Sequence, residues 1–217
     1  VATRSKMWIS TANLDWLITA RRDADFLRTM QASHLVTCDG VPVMILSRIA
    51  QRPLPYRITG VELFSRIRNG EAGSLRVGFF GAVGDDAVRA SAALNHLPSP
   101  LIGAGGYNPG HGSVDALSAD HHIDAINKME ADFLVLALGA AKAQAWIERN
   151  LERINVPVVA HLGAVVRHVS GDTPQAPSSI AQFGFEWMWR SWHEPEVRLR
   201  YASNFAALPG LVIAALG

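Results

Sequence analysis

The sequence predicts an α/β protein with a mostly parallel sheet, helices on both faces of that sheet and a helical appendage at the C-terminal end. Short runs of β-branched and apolar residues alternate with longer segments in which apolar residues recur every three or four positions. Near residue 177 the alternation stops, and only helix-like sequence follows. The chain has 217 residues, of which 49% are hydrophobic, and this suffices for one compact core.

In the first part of the chain, each predicted strand leads into a helix start. Residues 8–11 combine apolar and hydroxyl side chains and run into Thr-Ala-Asn, after which residues 14–30 have helical periodicity. Residues 35–38 are predicted as the second strand because they contain β-branched residues and stop at Asp-Gly, a turn dipeptide. Helices over residues 42–51 and 61–68 then lead to the third strand.

The same alternation continues through the middle of the chain. The remaining strands are predicted at residues 76–80, 101–103, 133–138 and 156–160, and the helices between them at residues 85–97, 114–128 and 141–153. These helices are expected to cover both faces of the sheet. Residues 103–112 contain five glycines around Tyr107, Asn108 and His111, and we interpret them as a loop that either covers a ligand or merely connects two elements.

The change in pattern divides the chain into a domain of residues 1–176 and a helical appendage of residues 177–217. Pro195 is expected to end or kink a first appendage helix near Glu194, and residues 202–216 are expected to form a second helix. The last twenty residues contain two arginines and no acid. This combination suits a helix on an anionic membrane surface, while packing on the domain or on a second subunit explains it equally well.

Charge and cysteine content argue against several classes of function. Twenty basic and nineteen acidic residues give a net charge of +1, too small a field to support nucleic-acid binding. Cys38 is the only cysteine, which excludes an intrachain disulfide and a multi-cysteine zinc site. No apolar run approaches the roughly 20 residues of a spanning helix, and we recognise no secretory signal. We therefore expect a cytoplasmic location.

Polar side chains follow the first two predicted strands. Ligands of open α/β sheets bind beyond the carboxyl ends of the strands, so Thr11, Asn13 and Asp39 are candidates for a binding site. Each also has an ordinary structural interpretation, Thr11 and Asn13 as helix caps and Asp39 as part of a turn. Arg57, just before a Thr-Gly helix start, either binds a phosphate or pairs with a surface acid.

Two further motifs bear on cofactors. Gly78, Gly81 and Gly84 have GxxGxxG spacing, which would let backbone amides approach a diphosphate but is not the GxGxxG dinucleotide fingerprint. The hypothesis that the protein is an oxidoreductase that uses nicotinamide therefore depends on fold analogy alone. His121 and His122 are adjacent, and neighbouring side chains on a helix point about 100° apart, so we assign no metal site.

An ordered series of short motifs runs through nearly the whole chain. The first half contains Thr-Ala-Asn at 11–13, Ala-Arg-Arg-Asp at 20–23, Cys-Asp-Gly-Val-Pro at 38–42, Arg-Pro-Leu-Pro at 52–55 and Thr-Gly at 59–60. The second half contains Ala-Asp at 131–132, Leu-Gly-Ala at 138–140, Trp-Ile at 146–147, Gly-Phe-Glu-Trp at 184–187, Arg190 and Glu-Pro at 194–195. Their order and spacing resemble the WecG/TagA/CpsF family of bacterial glycosyltransferases.

The resemblance implies a Rossmann-like fold and an inverting transfer that uses no cofactor and no essential metal. It implies that a sugar, typically of the N-acetylmannosamine type, moves from a UDP-sugar to a saccharide on a polyprenyl diphosphate lipid during surface polysaccharide biosynthesis. The appendage is implied to bring the enzyme to the inner face of the cell membrane as a peripheral protein. The expected partners are thus the UDP-sugar, the lipid-linked acceptor and the membrane surface, and a homo-oligomer is left open.

The resemblance also suggests roles for individual residues. Asp39 matches the proposed catalytic base, which an inverting displacement needs near the acceptor hydroxyl. The substrate-binding candidates are Thr11, Asn13, Arg57, Gln144, Arg190 and Arg200. The nucleotide-binding candidates are Gly81, Gly139 and Arg167. Without a metal, arginines and backbone amides would have to stabilise the departing UDP.

The chain departs from the family pattern mainly in the half of the site that meets the donor. Residues 141–144 read Ala-Lys-Ala-Gln where the family usually has Pro-Lys-Gln-Glu, and residues 175–177 read Gln-Ala-Pro where it has Arg-Ala-Pro. Arg167 stands at the position of a family aspartate thought to meet the nucleotide. Three interpretations fit these departures: a different donor sugar, a member of the family with weakened activity, or a non-catalytic relative. Such a relative would bind a nucleotide-sugar or serve as a partner subunit of a polysaccharide assembly complex.

Overall fold

A computed structural model describes residues 6–96, 98–171, 189, 192 and 198–216. Its centre is a sheet formed by β1 (Met7–Ala12), β2 (Leu35–Cys38), β3 (Leu75–Gly81), β4 (Leu101–Tyr107), β5 (Phe133–Ala137) and β6 (Val158–His161). The strand order is β2-β1-β6-β5-β3-β4, and all neighbouring pairs are parallel. This arrangement confirms the predicted fold class. Because the strands are parallel, their carboxyl ends all lie along one edge of the sheet.

Helices surround this sheet. They are α1 (Leu14–Arg22), α2 (Ala24–Ala32), α3 (Val41–Ile49), α4 (Gly60–Arg66), α5 (Asp86–His96), α6 (Asp120–Asn127), α7 (Ala140–Asn150), α8 (Val165–Val169) and α9 (Arg198–Leu216). The helix predicted over residues 14–30 is two helices, because Asp23 has an extended backbone and its carboxylate accepts a hydrogen bond from the Phe26 N–H. A side chain that caps the start of α2 in this way ends α1 at the same residue.

Both faces of the sheet are buried, as the alternation of side chains along a strand requires. Trp8 and Phe80 face a core that includes the fully buried Trp146 of α7. Their chain neighbours Ile9 and Phe79 face the opposite core, which includes residues of α4, α5 and α8. Two covered faces explain why the strands read as nearly continuous apolar runs and why ligands can reach the sheet only at its edges.

The glycine-rich stretch after residue 101 is a strand and not the loop that the sequence suggested. A Cβ atom on Gly103 would lie 1.9 Å from the carbonyl oxygen of Ser91, and one on Gly106 would lie 2.1 Å from that of Ala87. Helix α5 therefore packs directly against the backbone of β4, at a distance that only glycine permits. The glycines serve packing up to Tyr107, the last residue of β4.

Helix α9 lies against α1 and α3. Leu211 is buried with Leu14, Ile18 and Leu46, and the Arg21 guanidinium donates a hydrogen bond to the Gly210 carbonyl oxygen at 2.7 Å. The helix begins four residues before the predicted position and contains Pro209. Of the predicted first appendage helix the structure describes only residues 189 and 192, both helical, while its end at Pro195 and the boundary at residue 176 lie outside the described residues. Among the residues that are described, no helix is both long and apolar enough to cross a bilayer.

Candidate active site

The ends of β1 and β2 bring several of the predicted residues together. The backbone N–H of Asp39 donates to the carbonyl oxygen of Ala12 at 2.8 Å, so the carboxylate-bearing residue lies beside the Ala12-Asn13 segment. The N–H of Ile58 donates to the carbonyl oxygen of Cys38 at 2.9 Å. This second bond holds the segment that carries Arg57 against the same strand end. Asp39, Asn13 and Arg57 therefore share one corner of the sheet edge.

Gly40 turns the chain immediately after Asp39. Its φ of +125° is a conformation that residues with a Cβ rarely adopt, and helix α3 begins at the next residue. The helix has no acidic residue in its first turn, and Asp39 precedes its N-terminus. A carboxylate at that end of a helix is stabilised by the helix dipole. The Asp-Gly pair thus makes the turn that its sequence predicts and also places the carboxylate at the open edge of the sheet.

The charged groups at this corner affect the pKa of the Cys38 thiol. Burial raises its pKa, the negative charge of Asp39 raises it further, and the positive charge of Arg57 opposes both. A carboxylate and a guanidinium therefore lie close enough to one thiol to change its ionisation. This arrangement can accept a proton at Asp39 and attract an anionic group at Arg57, which are the two tasks that displacement of a phosphate-linked leaving group requires.

Thr11 and Asn13 have structural roles at the same place. Thr11 is buried, and its hydroxyl donates to the carbonyl oxygen of His161 at 3.3 Å. Asn13 is exposed at the start of α1, where its side-chain oxygen accepts a hydrogen bond from the Trp16 N–H at 3.2 Å. The capping interpretation therefore holds for Asn13, and its position next to Asp39 also leaves it at the surface of the candidate site. The Thr11 side chain thus connects the end of β1 to the end of β6.

His161, which the sequence analysis did not single out, occupies the centre of this edge. Its Nε2 donates to the carbonyl oxygen of Leu138 at 3.0 Å, and its ring lies 5.5 Å from the indole of Trp16, centre to centre. Its Nδ1 has no hydrogen-bond partner among the described residues. Burial lowers the pKa of His161 to about 4, so the ring is neutral at neutral pH. The rule that selected Thr11, a polar residue at a strand end, would also have selected His161.

Gln144 is not at the edge where the resemblance would place it. Its side chain is completely buried, its Nε2 donates to the Ser10 hydroxyl at 2.7 Å, and its Oε1 accepts from the Ser33 hydroxyl at 3.5 Å. These bonds join α7 to β1 and to the end of α2. The amide thus has a structural role inside the protein, and the substrate-binding role expected for Gln144 stays a prediction.

The two glycines proposed to meet the nucleotide lie further along the same edge. Gly81 ends β3 with a φ of +99°, and a Cβ atom there would lie 2.8 Å from the carbonyl oxygen of Ala137 in β5. The close packing of β3 against β5 is therefore sufficient to explain why position 81 is a glycine. Gly139 is exposed and immediately precedes α7, whose start has no side-chain cap. Ala82, next to Gly81, also has a positive φ of 71°, which makes this turn an unusual one.

The remaining predicted residues lie on α8, on α9 or outside the described residues. Arg167 is half-buried within α8 and is not at a strand end. Arg190 lies outside the described residues, and for Arg200 the structure describes only the backbone, within α9. Within the described ranges no group of three or more His, Cys, Asp or Glu side chains is placed to hold a metal ion. The Nδ1 of His122 is hydrogen bonded to the Tyr107 hydroxyl at 2.9 Å.

Comparison with known proteins adds independent findings. The family model described as "Glycosyl transferase WecG/TagA/CpsF family" matches residues 1–216. The chain is similar to the N-acetylglucosaminyldiphosphoundecaprenol N-acetyl-beta-D-mannosaminyltransferase of Bacillus subtilis (strain 168), with 25% identity over 84% of this chain and 70% of the relative. Proteins of the same name from Bacillus spizizenii and Staphylococcus aureus (strain NCTC 8325) are 26% and 23% identical, over 87% and 86% of this chain and 72% of each relative.

Proposed function

Because the chain belongs to the WecG/TagA/CpsF family of glycosyltransferases, we propose that it transfers an N-acetylmannosamine-type sugar from a UDP-sugar to a saccharide linked to a polyprenyl diphosphate. The names of the relatives support both the type of sugar and the lipid-linked acceptor. The observation that carries the proposal is the convergence of Asp39 and Arg57 at the ends of β1 and β2. A base beside a cation suits a displacement in which a hydroxyl attacks and a diphosphate leaves.

In the proposed reaction, Asp39 accepts the proton of the acceptor hydroxyl as the oxygen attacks the anomeric carbon. The new C–O bond forms on the face opposite UDP, the bond between the anomeric carbon and the diphosphate oxygen breaks, and UDP leaves with the electron pair. Direct displacement of this kind inverts the anomeric configuration. Arg57 stabilises the negative charge that develops on the leaving group, together with backbone amides near Gly139. We propose that no metal ion takes part.

The proposed acceptor remains anchored in a membrane, so the enzyme has to work at the membrane surface. On α9, Leu211 packs on the protein while Leu199, Ile213 and Leu216 are each more than 70% exposed. Exposed apolar residues on a helix that has no acid and begins with arginines support contact with an anionic leaflet. We propose that the protein is peripheral and touches the cytoplasmic face of the membrane through this helix.

Asp39→Asn is the decisive variant, because it removes the basic oxygen and nearly preserves shape. We expect sugar transfer to fall by about 10²- to 10⁴-fold, while the affinity for UDP, measured by calorimetry, stays close to native. Asp124→Asn, at an exposed position on α6, is the matched control and should keep full turnover. An Asp39→Asn variant with native turnover would end the proposal for Asp39.

Product analysis tests the rest of the scheme. A panel of UDP-sugars is incubated with a lipid-linked acceptor, and NMR of the product should show an anomeric configuration opposite to that of the donor. Turnover should persist in the presence of a chelator, and its loss with recovery on adding a divalent cation would contradict the metal-independent scheme. UDP binding without turnover across the whole panel would favour a non-catalytic nucleotide-sugar-binding relative instead.

A further inference from the structure

A second exposed apolar surface lies close to the proposed base, on the segment that links β2 to α4. Ile45 on α3 is 50% exposed, Leu54 is 40% exposed and Tyr56 is 74% exposed. Arg48 and Arg52 are exposed on the same segment. We refer to these five residues as the 45–56 surface. The catalytic scheme above gives none of them a role.

The loop that carries Leu54 and Tyr56 is folded onto the end of α3. The N–H of Leu54 donates to the Ser47 hydroxyl at 3.2 Å, and the N–H of Arg52 donates to the Ser47 carbonyl oxygen at 2.9 Å. Pro53 and Pro55, on either side of Leu54, fix the backbone torsion of the loop and reduce its freedom. The exposed side chains are therefore presented by a fixed turn, so their exposure is a property of the fold.

The charge of this segment indicates what kind of surface it meets. Residues 40–61 include three arginines, Arg48, Arg52 and Arg57, and no acidic residue. This segment therefore has a formal charge of +3, within a chain whose net charge is only +1. Arginines beside exposed leucine, isoleucine and tyrosine match the headgroup layer of an anionic membrane, where tyrosine and basic residues anchor and apolar side chains insert.

The position of the 45–56 surface links it to catalysis. Helix α3 starts two residues after Asp39, and the segment returns to the same strand end where the Ile58 N–H meets the Cys38 carbonyl oxygen. The surface is thus held at both ends by the corner that carries the proposed base. Helix α9 packs directly on α3, which makes the 45–56 surface a neighbour of the other apolar helix.

We propose that the 45–56 surface binds the headgroup layer of an anionic membrane and so holds the Asp39 corner against the lipid-linked acceptor. The inference rests on the proposed function, and it adds a membrane contact in the first half of the chain to the one proposed for α9. Leu54, Ile45 and Tyr56 insert among the lipids, and Arg48 and Arg52 bind lipid phosphates. The acceptor diphosphate then lies at the same depth as the corner that has to reach its saccharide.

Vesicle flotation tests the surface without relying on the chemistry. The full chain is mixed with vesicles of phosphatidylglycerol and phosphatidylcholine, or of phosphatidylcholine alone. The double variant Leu54→Ser/Tyr56→Ser should bind the anionic vesicles about tenfold more weakly than the native chain, because two inserted side chains are lost. Arg48→Gln/Arg52→Gln should weaken binding to anionic vesicles and reduce its dependence on salt.

Matched controls separate this site from general effects of polarity and charge. Val83→Ser/Val88→Ser removes two apolar side chains that are exposed to 71% and 53% elsewhere, and should leave flotation unchanged. Lys128→Gln/Arg149→Gln removes two exposed basic groups on the α6 and α7 side and should also have no effect. If Leu54→Ser/Tyr56→Ser floats as well as the native chain, or if the controls float equally poorly, the inference is wrong.

Two further measurements keep the inference distinct from the proposed function. Turnover of the Leu54→Ser/Tyr56→Ser variant should fall with an acceptor embedded in vesicles and stay native with a water-soluble, short-chain acceptor. A native chain that transfers to neither acceptor would contradict the proposed function alone, since flotation still reports the surface. Analytical sedimentation compares the self-association of the native chain and the Leu54→Ser/Tyr56→Ser variant. If the variant no longer self-associates but floats with vesicles as the native chain does, the 45–56 surface is an interface between two copies and the membrane proposal is wrong.

Discussion

Replacing His161 by glutamine should change how the stability of this protein depends on pH. The ring is buried at the end of β6, where Nε2–H is bonded to the Leu138 carbonyl oxygen and Nδ1 has no partner among the described residues. Protonation would place a charge and a second N–H at Nδ1, where the described residues offer no acceptor. Folding therefore favours the neutral ring, and glutamine can keep a donor for Leu138 without titrating.

The magnitude follows from the pKa of His161, which is about 4 in the folded protein and 6.5 when the ring is free in water. Because the folded pKa is lowered, this contribution to stability is complete above pH 6.5 and is lost as the pH falls toward 4. The whole difference corresponds to about 3 kcal/mol. Between pH 7.5 and pH 5, His161 alone should lower the free energy of unfolding by about 2 kcal/mol.

Urea denaturation at half-unit steps between pH 7.5 and pH 5 measures this effect. We expect the native chain to lose about 2 kcal/mol more than His161→Gln over that interval, whatever the offset between the two at pH 7.5. His96→Gln, which replaces an exposed histidine on α5, controls for the substitution itself. If the His161→Gln and native curves run parallel, His161 is not held neutral by its surroundings and the reasoning is refuted.

Three other predictions test particular contacts. Asp39→Asn should lower the pKa of Cys38, the only thiol, because a nearby negative charge is removed; the pH profile of its alkylation would show this, and an unchanged profile would contradict the proximity of the two groups. Gly60→Ala should cost about 1–3 kcal/mol in urea denaturation, since its Cβ would lie 2.4 Å from the Leu162 carbonyl oxygen, and a native value would disprove that packing. Leu211→Ala should cost about 2–5 kcal/mol and weaken the docking of α9; an unchanged melting temperature would show that α9 is not held by this contact.

The sheet was predictable because its signals are local. The six predicted strands depended on short apolar or β-branched runs, and the fold places a strand at each of them. The exception was the length of β4, where Gly103 and Gly106 suggested a loop. Glycine indicates a loop only where its backbone adopts a conformation that other residues avoid. In β4 the glycines instead allow α5 to pack closely on the strand. The sequence around residues 103–106 does not show that a helix from another part of the chain will pack there.

The candidate site was predictable to the extent that it depends on strand ends. Asp39 and Asn13 were selected because they follow strands, and the parallel order of β1 and β2 brings them together. Gln144 was selected by resemblance alone, at a position in α7 that also carries the buried Ala143 and Ile147. The spacing of a helix decides which side chains face the core, and that spacing turned the Gln144 amide toward Ser10.

The contacts beneath the edge determine how substitutions there have to be interpreted. The Thr11 hydroxyl bonds to the backbone of His161, and the His161 ring bonds to the backbone of Leu138, so these groups tie the ends of β1, β6 and β5 together. Loss of activity on changing Thr11 would therefore combine any effect on substrate with a loosened scaffold. The bond between Asp39 and Ala12, in contrast, uses the Asp39 backbone and survives in Asp39→Asn. A large loss of transfer in that variant, with native stability and UDP affinity, would therefore report on the carboxylate itself.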